Sequence, residues 1–419
     1  MNILVIGGGG REHALGLAIS KSPLCAQLDF APGNPGMATL GTCHKANIED
    51  VDALFELAIS LAPDLVVIGP EAPLVGGLAD RLETAGIKAF GPTAAAAMLE
   101  GSKDFARQIC AKQNVPQPHF KAFDNAEAAL SYAHQLDGYC VIKADGLAAG
   151  KGVVVSDTMD EAGPAIVQML DGQFGKSSAS ILIEERISGP EISAFALIDG
   201  KNTIWLASAQ DHKRAYDDDK GPNTGGMGAI SPSPLINEAL RDEIMTTIID
   251  PVAKEMDEAG TPYRGVLYAG LMLTDEGPKV IEFNCRFGDP EAEVILPRID
   301  SDFVKLIADL MDGKLARAEM SNDVAVTVVM ATKGYPGSYE KGSLIKNLDD
   351  AGAGEAITIY HAGTAHDTGG RLVASGGRVL SVTAKAQDAK TARNEAYEAV
   401  DKIDWPEGFC RRDIAKNAL

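Results

Sequence analysis

The sequence has 419 residues, and this length predicts about two to four domains. Its 45% hydrophobic and 23% charged residues are ordinary for a soluble globular enzyme. The formal net charge of −21 at pH 7 argues against a nucleic-acid partner, because phosphate backbones are bound by clustered lysine and arginine side chains.

The first predicted element is a short buried strand that leads through a glycine turn into a helix. Residues 3–6 are apolar, residues 7–10 are all glycine, and residues 11–20 have helical spacing. Such a turn presents backbone N–H groups to an anion. A dinucleotide fingerprint would need a third glycine where Glu12 stands. The turn therefore indicates a phosphate site, with a tight turn that binds no ligand as the alternative.

The next residues continue the alternation of strands and helices. Amphipathic helices over 51–62 and 77–85 alternate with apolar strands at 65–68 and 88–90. Repeated βα units predict a doubly wound parallel sheet, and ligands bind such sheets at the carboxyl ends of the strands. The loops at that edge are 7–10, 33–36 and 69–71.

A second unit, from about residue 101 to residue 189, contains a glycine-rich loop between two strands. Ser102 is suited to cap a helix that follows it. Lys143 lies in an apolar strand, and burial of its ammonium group is costly unless an anion neutralises it. The loop 145–152 is too rich in glycine and alanine to pack as core. It is typical of a flap that closes on phosphates, and a glycine-rich hairpin with solvated lysines is the alternative.

Two polar stretches follow this unit. Glu184, Glu185 and Glu191 could accept hydrogen bonds from an adenine amino group or ribose hydroxyls, although a solvated sheet edge would look the same. Residues 215–228 show no hydrophobic period, so we expect an irregular substrate loop there.

The strand 279–284 has the character of an active-site wall. Glu282 and Asn284 are two residues apart and share one face of the strand. Their oxygens suit Mg²⁺, which takes few protein ligands and completes its shell with water and phosphate. A solvated strand face is the alternative. From about residue 323 onward, glycine-rich turns separate short strands, which predicts a small α+β domain.

These stretches together resemble one family, the phosphoribosylamine–glycine ligases (glycinamide ribonucleotide synthetases) of the ATP-grasp superfamily. The matching stretches are Gly7–Ala14, Pro32–Asn34, Gly69–Leu74, Lys143–Gly152, Gln210–Arg214, Asn223–Gly228 and Glu282–Glu291. The resemblance implies that ATP drives the joining of glycine to 5-phosphoribosylamine through glycyl phosphate, the second step of purine synthesis, with Mg²⁺ or Mn²⁺ as the metal.

The resemblance also implies roles for individual residues. Those implied for ATP binding are Lys103, Lys143, Gly146, Gly150, Lys151, Gly152, Glu184, Glu185 and Glu191. Those implied for substrate binding are Gly8, Gly9, Gly10, Asn34, Glu71, His212, Gly225 and Gly226. The implied catalytic residues are Arg286, Asp211 and Lys213. The implied metal ligands are Glu282 and Asn284; Leu271–Leu273 stands where many ATP-grasp enzymes place a second metal-binding carboxylate, so the number of metals stays open.

The implied domains are an N-terminal βα domain for the substrate phosphate, an ATP-grasp lid with the glycine-rich loop, an ATP-grasp catalytic and metal-binding subdomain, and a C-terminal α+β domain. Their expected bounds are 1–101, 102–188, 189–322 and 323–419.

Three other functions compete with this interpretation. Another carboxylate–amine ligase or an ATP-dependent carboxylase is disfavoured by Gln210–Lys213. An oxidoreductase is disfavoured by the missing third glycine, and a non-catalytic nucleotide-binding regulator by the intact metal side chains.

The remaining features bear on cellular context. Six scattered cysteines without Cys-x-x-Cys or zinc spacing indicate reduced thiols. The sequence begins without a basic segment of the kind that opens a signal peptide, and no apolar run approaches the roughly 18 residues of a membrane span. We therefore expect a cytoplasmic protein without a membrane or nucleic-acid partner, either a monomer or a weak homodimer.

Overall fold

The N-terminal residues form a parallel sheet with helices on both faces. The computed structural model describes residues 1–147, 152–172 and 180–418. Its first elements are β1 (Asn2–Gly7), α1 (Gly10–Ser20), β2 (Gln27–Pro32), β3 (Thr42–Cys43), α2 (Val51–Leu61), β4 (Leu65–Ile68), α3 (Glu71–Val75), α4 (Leu78–Thr84), β5 (Lys88–Phe90) and α5 (Ala94–Gly101). The strand order is β3-β2-β1-β4-β5 and every pair is parallel. This arrangement confirms the predicted doubly wound sheet.

The side chains of β1 alternate between two hydrophobic layers, because successive residues of a strand point to opposite faces. Leu4 and Ile6 share a cluster with residues of α2 and α4, whereas Ile3 and Val5 share another with residues of α1. Each of these buried side chains contributes on the order of 1.5–3 kcal/mol relative to exposure. Since both faces are covered, ligands can approach this sheet only at its edges.

The next elements, from α6 to β9, form a second unit that is called the lid unit below. It is a four-stranded antiparallel sheet with two helices on one face. Its elements are α6 (Lys103–Lys112), β6 (Phe120–Phe123), α7 (Ala126–Gln135), β7 (Cys140–Ala144), β8 (Val153–Ser156), α8 (Met159–Leu170) and β9 (Ile181–Glu185), with strand order β6-β9-β7-β8. Ser102 caps α6 as predicted, because its hydroxyl accepts from the Phe105 N–H at 3.1 Å. Ala133 of α7 and Ile166 of α8 belong to one core cluster with Ile142 of β7.

The central residues supply the first part of a long antiparallel sheet. The elements here are β10 (Glu191–Asp199), β11 (Thr203–Asp211), β12 (Arg214–Tyr216), β13 (Lys220–Asn223), β14 (Gly228–Ser231), α9 (Glu238–Ile244), a π-helical segment (Met245–Ile249), α10 (Asp250–Glu258), β15 (Arg264–Thr274), β16 (Gly277–Asn284), α11 (Ala292–Ile295) and α12 (Phe303–Met311). β15 and β16 form an antiparallel hairpin.

The expected irregular loop over residues 215–228 differs from the observed structure. β12 and β13 form a hairpin, and the turn residues Asp218 and Asp219 have left-handed φ angles of 57° and 50°. The Asp218 N–H donates to Asp413 at 2.8 Å, and Arg411 donates to Asp219 at 2.8 Å. The C-terminal segment therefore holds this hairpin. Because these contacts are long-range, the polar sequence of residues 215–228 does not predict the two strands.

The C-terminal unit, residues 324–418, contributes strands that extend the central sheet. The elements are β17 (Val324–Thr332), α13 (Leu348–Ala351), β18 (Ile357–His361), β19 (Thr364–His366), β20 (Leu372–Ala374), β21 (Arg378–Ala386), α14 (Ala389–Lys402) and β22 (Gly408–Phe409). The sheet order is β16-β15-β10-β11-β14-β17-β21-β18, with β22 on β17. The α+β character of this part is confirmed. Among the described residues, no helix combines the length and apolar character that crossing a bilayer requires.

Candidate active site

The predicted phosphate-binding turn, Gly8–Gly10, packs closely against other parts of the chain. A Cβ on Gly8 would lie 2.9 Å from the Gly33 carbonyl oxygen, and a Cβ on Gly10 would lie 2.3 Å from Oε1 of Glu293, so a side chain at either position would force a neighbour to shift. The Gly9 N–H donates to Oε2 of Glu12 at 2.7 Å. One of the N–H groups expected to meet an anion therefore already has an acceptor, and the glycines satisfy a packing requirement as well.

The Asn34 side chain ties this turn to the C-terminal unit. Its amide nitrogen donates to the carbonyl oxygens of Gly8 at 3.1 Å and His361 at 2.7 Å. Its oxygen accepts from the Met37 N–H at 3.0 Å. Asn34, predicted to bind substrate, thus uses its side chain on backbone groups and fixes the edge of the N-terminal sheet.

Arg286 lies between two carboxylates of the N-terminal unit. It donates to Glu100 at 2.6 Å and to Glu71 at 3.3 Å. Burial raises the pKa of the Glu71 carboxyl, but Arg286 and Arg11 outweigh burial and lower the pKa to about 2. Burial raises the pKa of Glu100, against the effect of Arg286. The structure thus brings the predicted residues Arg286 and Glu71 together and adds Glu100.

A β-bulge lies beside Glu282, because the register of the β15–β16 pair shifts next to Ile281. The Ile281 carbonyl oxygen accepts from Lys143 Nζ at 2.9 Å and from Arg107 Nη2 at 2.8 Å. The Val280 carbonyl oxygen accepts from Arg107 Nη1 at 2.8 Å. Two buried cations thereby hold the backbone that carries Glu282 and fix the direction of its side chain.

Glu184 neutralises both cations. Its two oxygens lie 2.8 Å from Lys143 Nζ and 2.8 Å from Arg107 Nε, and all three side chains are buried. Burial raises the pKa of Glu184, but Lys143 and Arg107 outweigh burial and lower the pKa to about 2. Lys143 is therefore paired within the protein, and the structure does not offer the Glu184 carboxylate to adenosine as predicted.

The other two glutamates predicted to contact adenosine lie in more open surroundings. The Glu185 side chain is 33% exposed and lies 4.0 Å from Lys279 Nζ. The Glu191 side chain is 41% exposed and pairs with Lys213. Glu185 and Glu191 are therefore accessible to a ligand from solvent, whereas Glu184 is not.

Lys103 lies at the N-terminus of α6 and faces the start of the glycine-rich loop. Its ammonium group donates to the Gly146 carbonyl oxygen at 2.9 Å, and its N–H donates to Asp145 at 2.7 Å. Burial lowers the pKa of Lys103, while Glu282 and Asp145 oppose this effect. The side chain is therefore a partly desolvated cation near Glu282.

The glycine-rich loop is described only at its two ends. Gly146 has a φ of 116°, which favours glycine, and the Gly152 carbonyl oxygen accepts from the Ala144 N–H at 2.8 Å. Gly150 and Lys151, both predicted to bind ATP, lie outside the described residues.

An acidic cluster surrounds Lys213 at the end of β11. Lys213 Nζ lies 3.0 Å from Glu191 and 3.7 Å from Glu282. Burial raises the pKa of Asp211 to about 7; Lys213 opposes this rise and Glu291 adds to it. The two predicted catalytic residues, Asp211 and Lys213, are therefore brought together beside Glu282, among more carboxylates than cations.

His212, which was predicted to bind substrate, makes its described side-chain hydrogen bond outside this cluster. Its Nε2 accepts from the Ala415 N–H at 3.1 Å. Burial lowers the pKa of His212 to about 4, and Arg411 adds to the effect. The neutral ring therefore links the residue after β11 to the C-terminal segment.

Gly225 and Gly226 lie where the C-terminal unit meets the loop after the β12–β13 hairpin. The Gly225 N–H donates to the Tyr335 hydroxyl at 3.1 Å, and its carbonyl oxygen accepts from Arg378 at 2.6 Å. Gly226 has a φ of 112°, and a Cβ there would lie 2.4 Å from Pro290. Close backbone approach requires glycine at this position.

Glu282 and Asn284 fit the predicted metal site. Burial raises the pKa of Glu282, but nearby cations, first among them Lys213, outweigh burial and lower it. The Glu282 side chain is 37% exposed, and no described group hydrogen-bonds the Asn284 side chain. Within the described ranges no group of three or more acidic, histidine or cysteine side chains could hold a metal. One carboxylate and one amide oxygen suit Mg²⁺, which completes its shell with phosphate and water.

Three residues that shape the site, Glu100, Arg107 and Glu291, were not predicted from the sequence. Arg107 interrupts the buried face of α6, and Glu100 follows the apolar residues of α5. A charged side chain at a position that helical spacing assigns to the core was the available signal. Glu291 accepts from the Ser193 hydroxyl at 3.2 Å, a contact that no local pattern predicts.

Three models of one protein family match the chain. They are described as the N, ATP-grasp (A) and C domains of phosphoribosylglycinamide synthetase, and they match residues 1–100, 101–292 and 325–417.

Individual relatives agree with these matches. The chain is 48% identical to a phosphoribosylamine–glycine ligase of Mesorhizobium japonicum, over 100% of this chain and 99% of that protein. It is 50% identical to a chloroplastic phosphoribosylamine–glycine ligase of Arabidopsis thaliana, over 98% of this chain and 79% of that protein.

Solved structures resemble the chain in the same way. A phosphoribosylamine–glycine ligase from Thermotoga maritima superposes with a TM-score of 0.85 at 33% identity, over 99% of this chain and 100% of that one. A biotin carboxylase domain from Hydrogenobacter thermophilus superposes with a TM-score of 0.73 at 16% identity, over 97% of this chain and 91% of that one, a likeness of fold alone.

Proposed function

The chain belongs to the phosphoribosylglycinamide synthetase family of ATP-grasp enzymes, and we propose that it joins glycine to 5-phosphoribosylamine with consumption of ATP. The products are glycinamide ribonucleotide, ADP and phosphate, in the second step of purine biosynthesis. The observation that carries this proposal is the position of Glu282, between the lysines beside the glycine-rich loop and the acidic cluster around Lys213.

The reaction consists of two displacements. A carboxylate oxygen of glycine attacks the γ-phosphorus of ATP, the bond to the ADP oxygen breaks, and glycyl phosphate forms. The amine nitrogen of phosphoribosylamine then attacks the carbonyl carbon, the C–O bond to phosphate breaks, and the nitrogen loses a proton. Neither displacement requires a protein nucleophile, so positioning and charge are what the chain must supply.

The lysines of the lid unit are proposed to hold the ATP phosphates. Lys103 is a partly desolvated cation near Glu282. Lys143 also lies near Glu282 and is held in place by Glu184. The ATP site also includes Gly146 and Gly152 at the ends of the flap, Gly150 and Lys151 within it, and Glu185 and Glu191 for the adenosine. Glu184 is proposed to act by holding Lys143.

The residues around Arg286 and Lys213 are proposed to hold glycine and the amine. A carboxyl with a pKa of about 7 can accept a proton at neutral pH, and Asp211 is therefore assigned to take the proton that the attacking nitrogen loses. Lys213 and Arg286 orient the carboxylate and acyl oxygens. The amine substrate is bound by Glu71, by the turn Gly8–Gly10 that Asn34 supports, and by the loop that contains Gly225 and Gly226.

Glu282 and Asn284 are proposed to hold Mg²⁺, with Mn²⁺ as a substitute. When bound there, the metal would neutralise charge on the phosphate oxygens. The residues nearby keep the Glu282 carboxylate ionised, because the surrounding cations lower its pKa despite burial.

The proposed domains have the bounds 1–101, 102–188, 189–322 and 323–419. The first binds the substrate phosphate, the second closes on ATP, the third contains the acidic and metal-binding residues, and the fourth covers the site. We further propose a cytoplasmic protein that works as a monomer or weak homodimer, without nucleic-acid or membrane partners.

The test is formation of ADP by the purified chain with Mg²⁺, while phosphoribosylamine is generated in the reaction mixture. ADP is expected only when both glycine and phosphoribosylamine are present. Bicarbonate and alanine in place of glycine are the matched controls. ADP formation with bicarbonate and not with glycine would overturn the proposed substrate and leave the ATP-grasp fold.

A further inference from the structure

Arg378, at the start of β21, connects the C-terminal unit to two loops of the candidate active site. Its Nη1 donates to the carbonyl oxygens of Gly225 at 2.6 Å and Asp289 at 2.8 Å. Its Nη2 lies 3.0 Å from Oδ1 of Asp289. A planar guanidinium can make these contacts together, because its donors are fixed in one fork.

The first of these loops supports Lys213. Thr224, next to Gly225, donates to the Lys213 carbonyl oxygen through its N–H at 2.7 Å and its hydroxyl at 2.9 Å. The Tyr335 hydroxyl also accepts from the Gly225 N–H at 3.1 Å. The backbone behind Lys213 is thus attached to the C-terminal unit through two side chains.

The second loop supports Glu291, which raises the pKa of Asp211. Asp289 precedes Glu291 by two residues, and both the backbone and the side chain of Asp289 contact Arg378. The Arg378 guanidinium therefore holds the two segments that contribute Lys213 and Glu291 to the acidic cluster.

We propose that Arg378 is a positioning residue for the ligation: it fixes the loops behind Lys213 and Glu291 and so places glycine and the amine relative to the ATP phosphates. This inference rests on the proposed function. It assigns a part in catalysis to the C-terminal unit, beyond the role of covering the site that the proposed domains give it. Arg378 acts through other groups, and within the described residues its hydrogen bonds and ion pair go to Gly225, Gly226 and Asp289, so the kinetic effect should fall on the two amine-bearing substrates.

The test compares Arg378→Ala and Arg378→Lys with Arg393→Ala. Arg393 is a matched control because it also donates to two backbone carbonyl oxygens, of Ile414 at 2.9 Å and Arg412 at 2.6 Å, within the C-terminal unit. Each variant is assayed for kcat and for KM of glycine, phosphoribosylamine and ATP, and its unfolding is followed in urea.

For Arg378→Ala we expect kcat/KM for glycine and phosphoribosylamine to fall about 10- to 100-fold, the effect of a lost charge-assisted contact. The KM for ATP should stay within about threefold of the wild type, because Arg378 has no direct hydrogen bond or ion pair with a described residue that is assigned to ATP. Arg378→Lys should recover little, since one ammonium cannot bridge both loops. Arg393→Ala should keep wild-type kinetics.

Chemical rescue separates positioning from general damage to the fold. The Arg378 side chain is 21% exposed, so free guanidinium ion can enter the space left in Arg378→Ala. Low concentrations of guanidinium, but not of sodium at the same ionic strength, should restore part of the turnover. If Arg378→Ala does not fold, the same kinetic comparison is made with Arg378→Lys.

Two results would overturn the inference alone: kinetics of the Arg378 variants equal to those of Arg393→Ala, or a loss shared equally by all three substrates without rescue. A wild-type chain that forms no ADP with glycine and phosphoribosylamine would instead overturn the proposed function, and this inference with it.

Discussion

The charged groups on the two sides of Glu282 are organised differently. On the side of the lid, Glu184 is paired with Lys143 and Arg107, and the three side chains are 2–5% exposed. On the other side, Lys213 faces Glu191 and Glu282 with side chains that are 32–41% exposed. The first group is closed and internally paired, whereas the second is open.

The two groups therefore perform different tasks. A closed set of charges has its hydrogen bonds satisfied within the protein and holds the backbone, here at the bulge beside Glu282. An open set with surplus carboxylates remains available for cations and protons from a ligand, and in this set burial, with a contribution from Glu291, raises the pKa of Asp211. We expect mutations of Glu184 or Arg107 to change stability and mutations in the second group to change the reaction, whereas a mutation of Lys143, which is also proposed to contact the ATP phosphates, should change both.

The largest effect on stability is expected for Glu184→Gln. Loss of the carboxylate leaves Lys143 and Arg107 buried without a counter-charge, which should lower the free energy of unfolding by about 3–5 kcal/mol in urea denaturation. Glu185→Gln is the matched control: its side chain is 33% exposed and should change stability by less than about 1 kcal/mol. Equal effects of the two substitutions would contradict the contrast between closed and open charges.

Glu282→Ala is expected to keep the fold and lower turnover by about 10²- to 10³-fold, because preorganised charge at the reacting phosphoryl group is lost. ADP release with both substrates and Mg²⁺ measures this effect. Glu276→Ala, on the turn of the same hairpin and 76% exposed, should leave turnover unchanged. Full activity of Glu282→Ala would refute the site.

Asp211→Asn should change the pH dependence of the reaction. The wild-type kcat/KM for glycine should fall about tenfold per pH unit below the pKa of about 7, since the protonated acid cannot accept a proton. The Asn variant should lack this acidic limb, measured between about pH 5.5 and about pH 8.5.

The stability of the wild type should change with pH in the opposite direction to its reaction rate. The folded pKa of Asp211 lies above the ordinary value of 3.8, so the folded state holds the proton more tightly and wild-type stability falls as pH rises from about 4 to about 7. Asp211→Asn removes this fall. A variant whose stability and rate profiles both match those of the wild type would show that Asp211 does not titrate as described.

The smallest effect is expected for His212→Ala. The ring accepts one hydrogen bond from the Ala415 N–H and lies outside the acidic cluster, so about 1 kcal/mol of stability should be lost while turnover stays within about threefold. Urea denaturation and ADP release measure the two quantities. A large rise in KM for phosphoribosylamine, with stability unchanged, would show that His212 binds substrate.

Much of the fold could be predicted because its signals are local. The apolar strand 65–68 appears at its expected position, Ser102 caps α6, and β15 pairs with β16 across a short turn. The position of His212 could not be predicted, because its ring accepts from the Ala415 N–H, 203 positions away in the sequence. The hairpin of β12 and β13 could not, because its turn is held by Asp413 and Arg411.

The sequence by itself determined the alternation of strands and helices, the glycine turns, and the presence of Glu282 and Asn284 on one strand face. Periodicity and turn chemistry depend on neighbouring residues, so they can be detected in the chain without its fold. Only the tertiary structure decided which charges are paired. Glu184 and Arg107 are 77 positions apart, and their contact makes one predicted ATP ligand a support for Lys143. The same dependence on long-range packing gives Asp211 its raised pKa, because burial and Glu291 act on it only after the sheet has formed.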